Sequence, residues 1–425
     1  MEILHPMTSN ISVRGSASSS SSTNPYWMDP AIWSKLPHRL IDRILAFLPP
    51  PAFFRARAVC KRWYSLMFSD AFLELHFHLS PHLRWFIFFP TNPKSLTTYV
   101  RKDQPLQHPT NDVTQAFALD PVARTWYRVN FNQLIPLGFS PAASSGGLVC
   151  WVSDDPAPKT LILCNPLSKS LAQLPQTIRP RLYPTVGLTV GPTSLDAIVA
   201  GDDLISPFAV KNLTAESFHA DGGGFYSLWG TSCELPRLCS LESGRMVGVD
   251  GKFYCMNYSP FSVLAYDISS NTWRKTQAPM RRFLRSPSLV ECRGRLVLVA
   301  AVEKSKLNVP RSVRLWGLQP CGRAWAEVER MPQPLHAQFA EVEAGTGFDC
   351  VGHGDFIVIT IRGADHLLLF DFYRKNWNWV ARCPLHPGAE HLTNGGSLVG
   401  FPFEPRLATP AIGLLDPTFQ AFGPQ

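Results

Sequence analysis

One design recurs along this chain: an apolar run, a turn, and a second run carrying tryptophan. It appears from Phe117-Ala118-Leu119-Asp120 to Trp126, from Val263-Leu264-Ala265-Tyr266-Asp267 to Trp273, from Val313-Arg314-Leu315-Trp316 to Trp325, and from Leu368-Leu369-Phe370-Asp371 to Trp377. Trp273, Trp325 and Trp377 are spaced 52 residues apart. Two degenerate copies without tryptophan, at Leu161 to Leu171 and Ala209 to Phe218, bring the count to six. A repeat of about 50 residues with several short strands is the period of a propeller blade. The expectation is a mainly β chain in which 115–425 forms a six-bladed β-propeller.

One blade can be written out in advance. Strands are expected at Ser288–Glu291, Arg295–Val302 and Arg311–Leu318, with a fourth beginning at Trp325. The first copy has only an outer pair, within 115–134. The end of the chain offers inner strands at Ser397–Phe403 and Ala411–Leu415 without an outer pair. Together, 115–134 and 397–415 would complete one blade and remove the open sheet edges.

The N-terminal part follows different rules. Residues 1–26 are a Ser-rich leader, with Ser18 to Ser22 unbroken, and are expected to be disordered. Within 27–75, Leu40, Ile44, Leu45 and Leu48 recur at helical spacing, and Pro49-Pro50-Pro51 ends that helix. A second run, from Phe53 to Met67, is apolar on one side and basic on the other, with Arg55, Arg57, Lys61 and Arg62. Two short amphipathic helices cannot bury both apolar faces in so few residues, so one face should dock on a partner. Residues 76–114 read as a connector packing on the propeller and a candidate for its first strand, with a polar loop at Arg101 to Thr114.

The order Leu36-Pro37, Leu40, Ile44-Leu45, Leu48-Pro49 and Val59-Cys60-Lys61-Arg62-Trp63 resembles the F-box. That resemblance implies binding of a Skp adaptor and, through it, the cullin of an SCF-type ubiquitin ligase. The contacting residues would be Leu36, Pro37, Leu40, Ile44, Leu45, Leu48, Val59, Cys60 and Trp63. The repeats resemble kelch and F-box-associated propellers at their Tyr-Asp and Trp positions. The Gly-Gly doublet usual in kelch is missing from most blades. Longer strings are similar to plant F-box proteins of floral patterning: Ala46-Phe47-Leu48-Pro49-Pro50-Pro51, Tyr254-Cys255-Met256-Asn257-Tyr258-Ser259-Pro260-Phe261 and Ala300-Ala301-Val302-Glu303-Lys304-Ser305-Lys306 among them. This family implies a nuclear protein that works with the transcription factor LEAFY in floral meristem and organ identity.

No chemistry of the chain's own is read. Gly222-Gly223-Gly224 lacks the Lys-Ser/Thr of a phosphate loop, and Ser144-Ser145-Gly146-Gly147 is not a nucleophile elbow. The ten cysteines show no CxxC or zinc-finger spacing, so no metal or cofactor is expected. Several of them (Cys150, Cys164, Cys255) sit in apolar runs like buried free thiols, which suits a reducing compartment. No apolar run approaches ~20 residues and no signal h-region opens the chain, so neither a membrane span nor secretion is expected.

Charge is unevenly placed. Arg281 to Arg314 contains nine basic and two acidic residues, +7 against a whole-chain net charge of +8. Strands in a blade alternate in direction, so the connection between blades and the loop between the second and third strands emerge on one face. That puts Arg281, Arg282, Arg285, Lys304, Lys306 and Arg311 on one side of a face. Asp154, Asp155, Asp202, Asp203 and Asp365 fall on loops of the same face. Two functions compete. In one, the basic side contacts DNA while the acidic side holds the transcription factor. In the other, the propeller presents its partner for ubiquitination and never meets DNA. A propeller enzyme is disfavoured, because no catalytic constellation is present.

Overall fold

The computed structural model describes residues 33, 35–91, 115–131, 134–181, 184–202, 213–221, 228–236, 239–241, 244–258, 261–303, 311–384 and 397–415. The leader, the loop 101–114, Asp203, Gly222-Gly223-Gly224, Lys304 and Lys306 lie outside the described residues.

Among the described residues, the β-strands form six sheets arranged as a propeller of six blades. Strands are lettered a to d from the innermost outwards. Blade 2 (Phe139–Ser145, Leu148–Ser153, Leu161–Asn165, Ser170–Gln173) and blade 4 (Val247–Val249, Lys252–Tyr258, Phe261–Asp267, Thr272–Gln277) are antiparallel meanders. Blade 5 (Leu284–Cys292, Arg295–Val302, Ser312–Leu318, Trp325–Arg330) and blade 6 (Phe348–His353, Phe356–Ile361, Leu367–Asp371, Asn376–Val380) follow the same plan. Blade 5 matches the strands anticipated from sequence. Its strand a starts earlier, at Leu284, across a bulge between Arg285 and Ser288. Blade 3 (Thr185–Val190, Ser194–Asp202, Leu213–Asp221, Gly230–Thr231) gains a short parallel strand, Gly244–Arg245, on its inner edge.

Blade 1 closes the ring, and here one expectation is corrected. Its strand a is Ser397–Phe403, as anticipated, and its outer strands are Gln115–Asp120 and Thr125–Asn130. Strand b is Trp85–Thr91, from the segment read as a connector, and it pairs with the whole of strand a, from Trp85↔Phe403 to Thr91↔Ser397. Ala411–Leu415 is not a strand; it belongs to a 3-10 helix, Pro410–Leu415. The aromatic run Trp85-Phe86-Ile87-Phe88-Phe89 explains the choice. Those side chains are buried on both faces of the sheet, which a middle strand of a packed blade demands.

The tryptophans of the repeat fasten neighbouring blades. Trp126 Nε1 donates to Ala381 O at 3.0 Å, Trp273 Nε1 to Ser232 Oγ at 3.1 Å, and Trp325 Nε1 to Gln277 O at 3.0 Å. Each reaches the preceding blade or its outer strand; for Trp126 and Trp273 buried area and a satisfied N–H come together, while Trp325 is half-buried. Across the central channel, Arg245 donates to Gly400 O at 2.8 Å and to Cys350 O, tying the inner strands of blades 1 and 6 to blade 3. Cys150, Cys164 and Cys255 are buried free thiols, and burial pushes each up to about 12.

The N-terminal helices are α1 (His38–Ala46), α2 (Pro50–Ala56), α3 (Lys61–Ser65) and α4 (Asp70–Leu79). Pro50 opens α2, where a missing N–H costs nothing. Cys60 caps α3, its Sγ accepting from Trp63 N at 3.4 Å. Ser69 caps α4. Their core joins blade 1: Ile41, Leu45, Phe53 and Phe72 form one cluster with Trp85, and the Trp85 ring stacks on Tyr127 at 4.8 Å. Arg406, just past strand a of blade 1, lies over the Phe77 ring and donates to His82 Nδ1 at 3.1 Å. These contacts are all on the face of the a–b turns. The helices therefore sit at one end of the propeller, and the charged loops emerge at the other.

A fifth helix, α5 (Gln333–Glu343), fills the connection between blades 5 and 6. No helix was anticipated there.

Candidate functional site

The helical module leaves an apolar face uncovered. Leu40 is 47% exposed, Ile44 39% and Phe47 56%. On a helix of 3.6 residues per turn these three line up, while Ile41 and Leu45 fall about 100° away and point inward. Leu45 is therefore corrected: it is 3% exposed and belongs to the module's own core, not to a docking face. Pro37, Val59 and Cys60 are exposed, and Leu36, Leu48 and Trp63 are half-buried against the same core. Phe47, Tyr64 and Phe68 were missed; each is more than 40% exposed. Phe47 could have been found as the residue one turn beyond Ile44. Arg62 Nη2 bonds Asp42 Oδ1 at 2.5 Å and fixes α3 against α1, which holds the two parts of the face in register.

At the other end, the blade-5 loops carry less free charge than the sequence count indicates. Arg285 is corrected. It forms a bidentate pair with the buried Glu343 at the end of α5, at 2.5 and 2.9 Å, with Glu303 at 3.4 Å. Burial pushes the Glu343 carboxyl up, but the Arg285 bond and the Gly347 N–H outweigh it and hold the group below the usual range. Arg285 is thus an internal brace. Arg314 is buried against Glu327 and Ser312, and Arg293 pairs with Asp355 on the opposite face. On the blade-5 loops three cations remain among the described residues: Arg281, Arg282 and Arg311, none in an ion pair there. His336 of α5 lies close enough to Arg285 and Arg311 that, after burial, their charges also lower its pKa.

The acidic side lies over blades 2 and 3. Asp154 accepts from Ser140 Oγ at 2.7 Å, Asp155 is exposed, and Asp202 ends strand b of blade 3. Asp365, on the corresponding loop of blade 6, is engaged by His366 at 3.0 Å and Arg382 at 3.7 Å. Among the described residues, no group of three His, Cys, Asp or Glu side chains is placed to hold a metal ion.

An uncovered apolar face on a helical module at one end of a six-bladed propeller defines the class. Residues 33–75 match the family described as F-box domain, and 119–345 match the KIB1-4 beta-propeller family. The chain is 57% identical over 399 residues to Protein UNUSUAL FLORAL ORGANS of Arabidopsis thaliana, covering 93% of this chain and 90% of that protein. It is 48% identical to Protein ABERRANT PANICLE ORGANIZATION 1 of Oryza sativa subsp. indica, over 95% of both. A more distant relative, SKP1-interacting partner 15 of Arabidopsis thaliana, is 23% identical over 82% of this chain and 92% of its own length. This is an F-box protein with a β-propeller. Within that class it belongs to the family of UNUSUAL FLORAL ORGANS and ABERRANT PANICLE ORGANIZATION 1.

Proposed function

We propose that this protein is a non-catalytic receptor subunit of an SCF-type ubiquitin ligase that also acts, in the nucleus, as a cofactor of a LEAFY-type transcription factor. The F-box face takes the Skp adaptor. The opposite loop face takes the factor on its acidic side and reaches DNA phosphates with its basic side. The observation that carries the reading is the separation of the two surfaces. Leu40, Ile44 and Phe47 are uncovered at one end, while Arg281, Arg282 and Arg311 at the other form no ion pair among the described residues. A relative named for interaction with SKP1 supports the first half, and the floral relatives support the second.

Phosphate contacts position without reading sequence, and each neutralised phosphate contributes roughly 0.9 to the slope of log affinity against log salt. Reversing Lys304, Lys306 and Arg311 to Glu should flatten the salt slope of the factor–DNA–protein complex by roughly 2 to 3 units in a gel-shift titration. Binding to the factor without DNA should change little. If assembly on DNA keeps its affinity and slope, the degradation-receptor reading takes its place.

A further inference from the structure

We infer that the acidic side of the loop face is a pre-formed docking ridge in which Leu137 and Ile178, not the carboxylates, hold the partner. The occupant is a folded basic domain presenting an apolar side chain flanked by lysine or arginine. This rests on the reading that the face binds a DNA-binding protein.

The ridge is built on three loops. The b–c loop of blade 2, 154–160, lies between two inter-blade connections and is bonded to both. On one side, Asp154 N donates to Gly138 O at 2.9 Å. On the other, Thr177 N donates to Lys159 O at 2.9 Å, Arg181 N to Ala157 O at 3.2 Å, and Lys159 N to Thr177 Oγ1 at 2.6 Å. Beneath them lie charges with no access to water. Lys159 Nζ donates to Ser153 O at 2.9 Å and Asp155 O at 2.5 Å. Arg181 bonds Glu216 at 2.5 Å and Thr214 at 2.7 Å, and Glu216 also receives Ile178 N at 2.6 Å and Arg179 N at 3.1 Å. Lys159, Arg181 and Glu216 are each 0% exposed. Burying such groups is costly unless they are bonded; here Lys159 and Glu216 bond the backbone of the surface loops and Arg181 ties Glu216 to Thr214, with Arg181 Nε alone left without a partner. The result is loop conformation fixed before any partner arrives, which lowers the ordering cost of binding.

On that frame, Leu137 is 78% exposed and Ile178 57% exposed, one on each connection flanking Asp154 and Asp155. Single exposed aliphatics are ordinary. These two differ because each sits beside backbone pinned by the hydrogen bonds above, next to carboxylates that select a basic partner. Exposed rim charges mainly set association rate and salt dependence, whereas desolvated apolar anchors set residence time.

The test is surface plasmon resonance with the full chain and a LEAFY-type factor at two salt concentrations. Leu137→Asp with Ile178→Asp should raise the dissociation rate about thirtyfold or more. Asp154→Asn with Asp155→Asn should lower the association rate several-fold and flatten its salt dependence, with dissociation nearly unchanged. Leu137→Ala with Ile178→Ala is the milder pair if the Asp pair melts early; it should raise dissociation about tenfold. Wild-type dissociation by the Ala pair overturns the inference. If the wild-type chain does not bind the factor at all, the reading of the face fails, and the inference falls with it.

Discussion

Arg285 and His76 show how neighbours decide what a side chain does. Arg285 looks like a surface cation in sequence, yet it spends its charge on Glu343, which is 3% exposed. Glu343→Gln should destabilise the chain by about 1–3 kcal/mol in denaturant unfolding, less than for a fully buried pair because Arg285 is partly solvated. His76 is 1% exposed between Phe53 and Phe72, and burial lowers its pKa to about 4. The unfolded state therefore binds more protons between about pH 4 and 6.5, so stability rises with pH across that window. His76→Phe should flatten that part of the profile, by on the order of 3 kcal/mol between its ends, in melts followed against pH. Gly352 is constrained from outside its own blade: an added Cβ would lie 2.1 Å from Glu291 O of blade 5. Nothing near Gly352 in sequence reports that contact.

At the scale of elements, α1 carries two apolar stripes that the sequence reading merged. Leu40 and Ile44 face outward while Leu45 faces in. Leu40→Ala with Ile44→Ala should abolish co-purification with a Skp adaptor and shift the melt little. Leu45→Ala should cost about 2–5 kcal/mol of stability. Loss of adaptor by both, with equal destabilisation, would mean the stripe is core. Helix α5 was missed because the reading around it followed the strand period of the blades. Its signal was present: Pro334 in the first turn and Leu335 with Phe339 at i, i+4 spacing, Phe339 being 2% exposed. Short apolar runs between strands invite a β reading when the surrounding period is β.

For the whole molecule, the ring stands or falls with its last strand. Deleting 397–425 removes the partner of Trp85–Thr91 along seven register pairs and exposes both the edge of strand b and the aromatic core beside it. The truncated chain should aggregate or lose its cooperative melt, as followed by calorimetry and light scattering. A melt like that of the full chain would place the C-terminal segment outside the fold. By contrast, the repeat tryptophans were legible as strand d markers without tertiary knowledge, although only Trp126 and Trp273 are buried while Trp325 and Trp377 are half-buried.

Blade number and most strand c and d positions were legible in the sequence, because each rests on a local period: about 50 residues for blades and two for strands. Blade 3 is the exception: the copy read from Ala209 to Phe218 as two runs holds a single strand, Leu213–Asp221, and strand d is the later Gly230–Thr231. The helical period located the F-box helices but not which of their apolar residues stay uncovered. The closing strand was half legible. Ser397–Phe403 had to pair with something, but the choice of Trp85–Thr91 over Ala411–Leu415 depended on which run the finished core could bury on both faces. The free charge of the loop face was not legible at all. Whether Arg285, Arg314 or Arg281 meets solvent depends on acids distant in sequence or fixed by side-chain packing, such as Glu343 and Glu327. Local patterning carries no information about such pairs. They exist only once the blades are stacked and desolvation has made an unpaired charge too costly to keep.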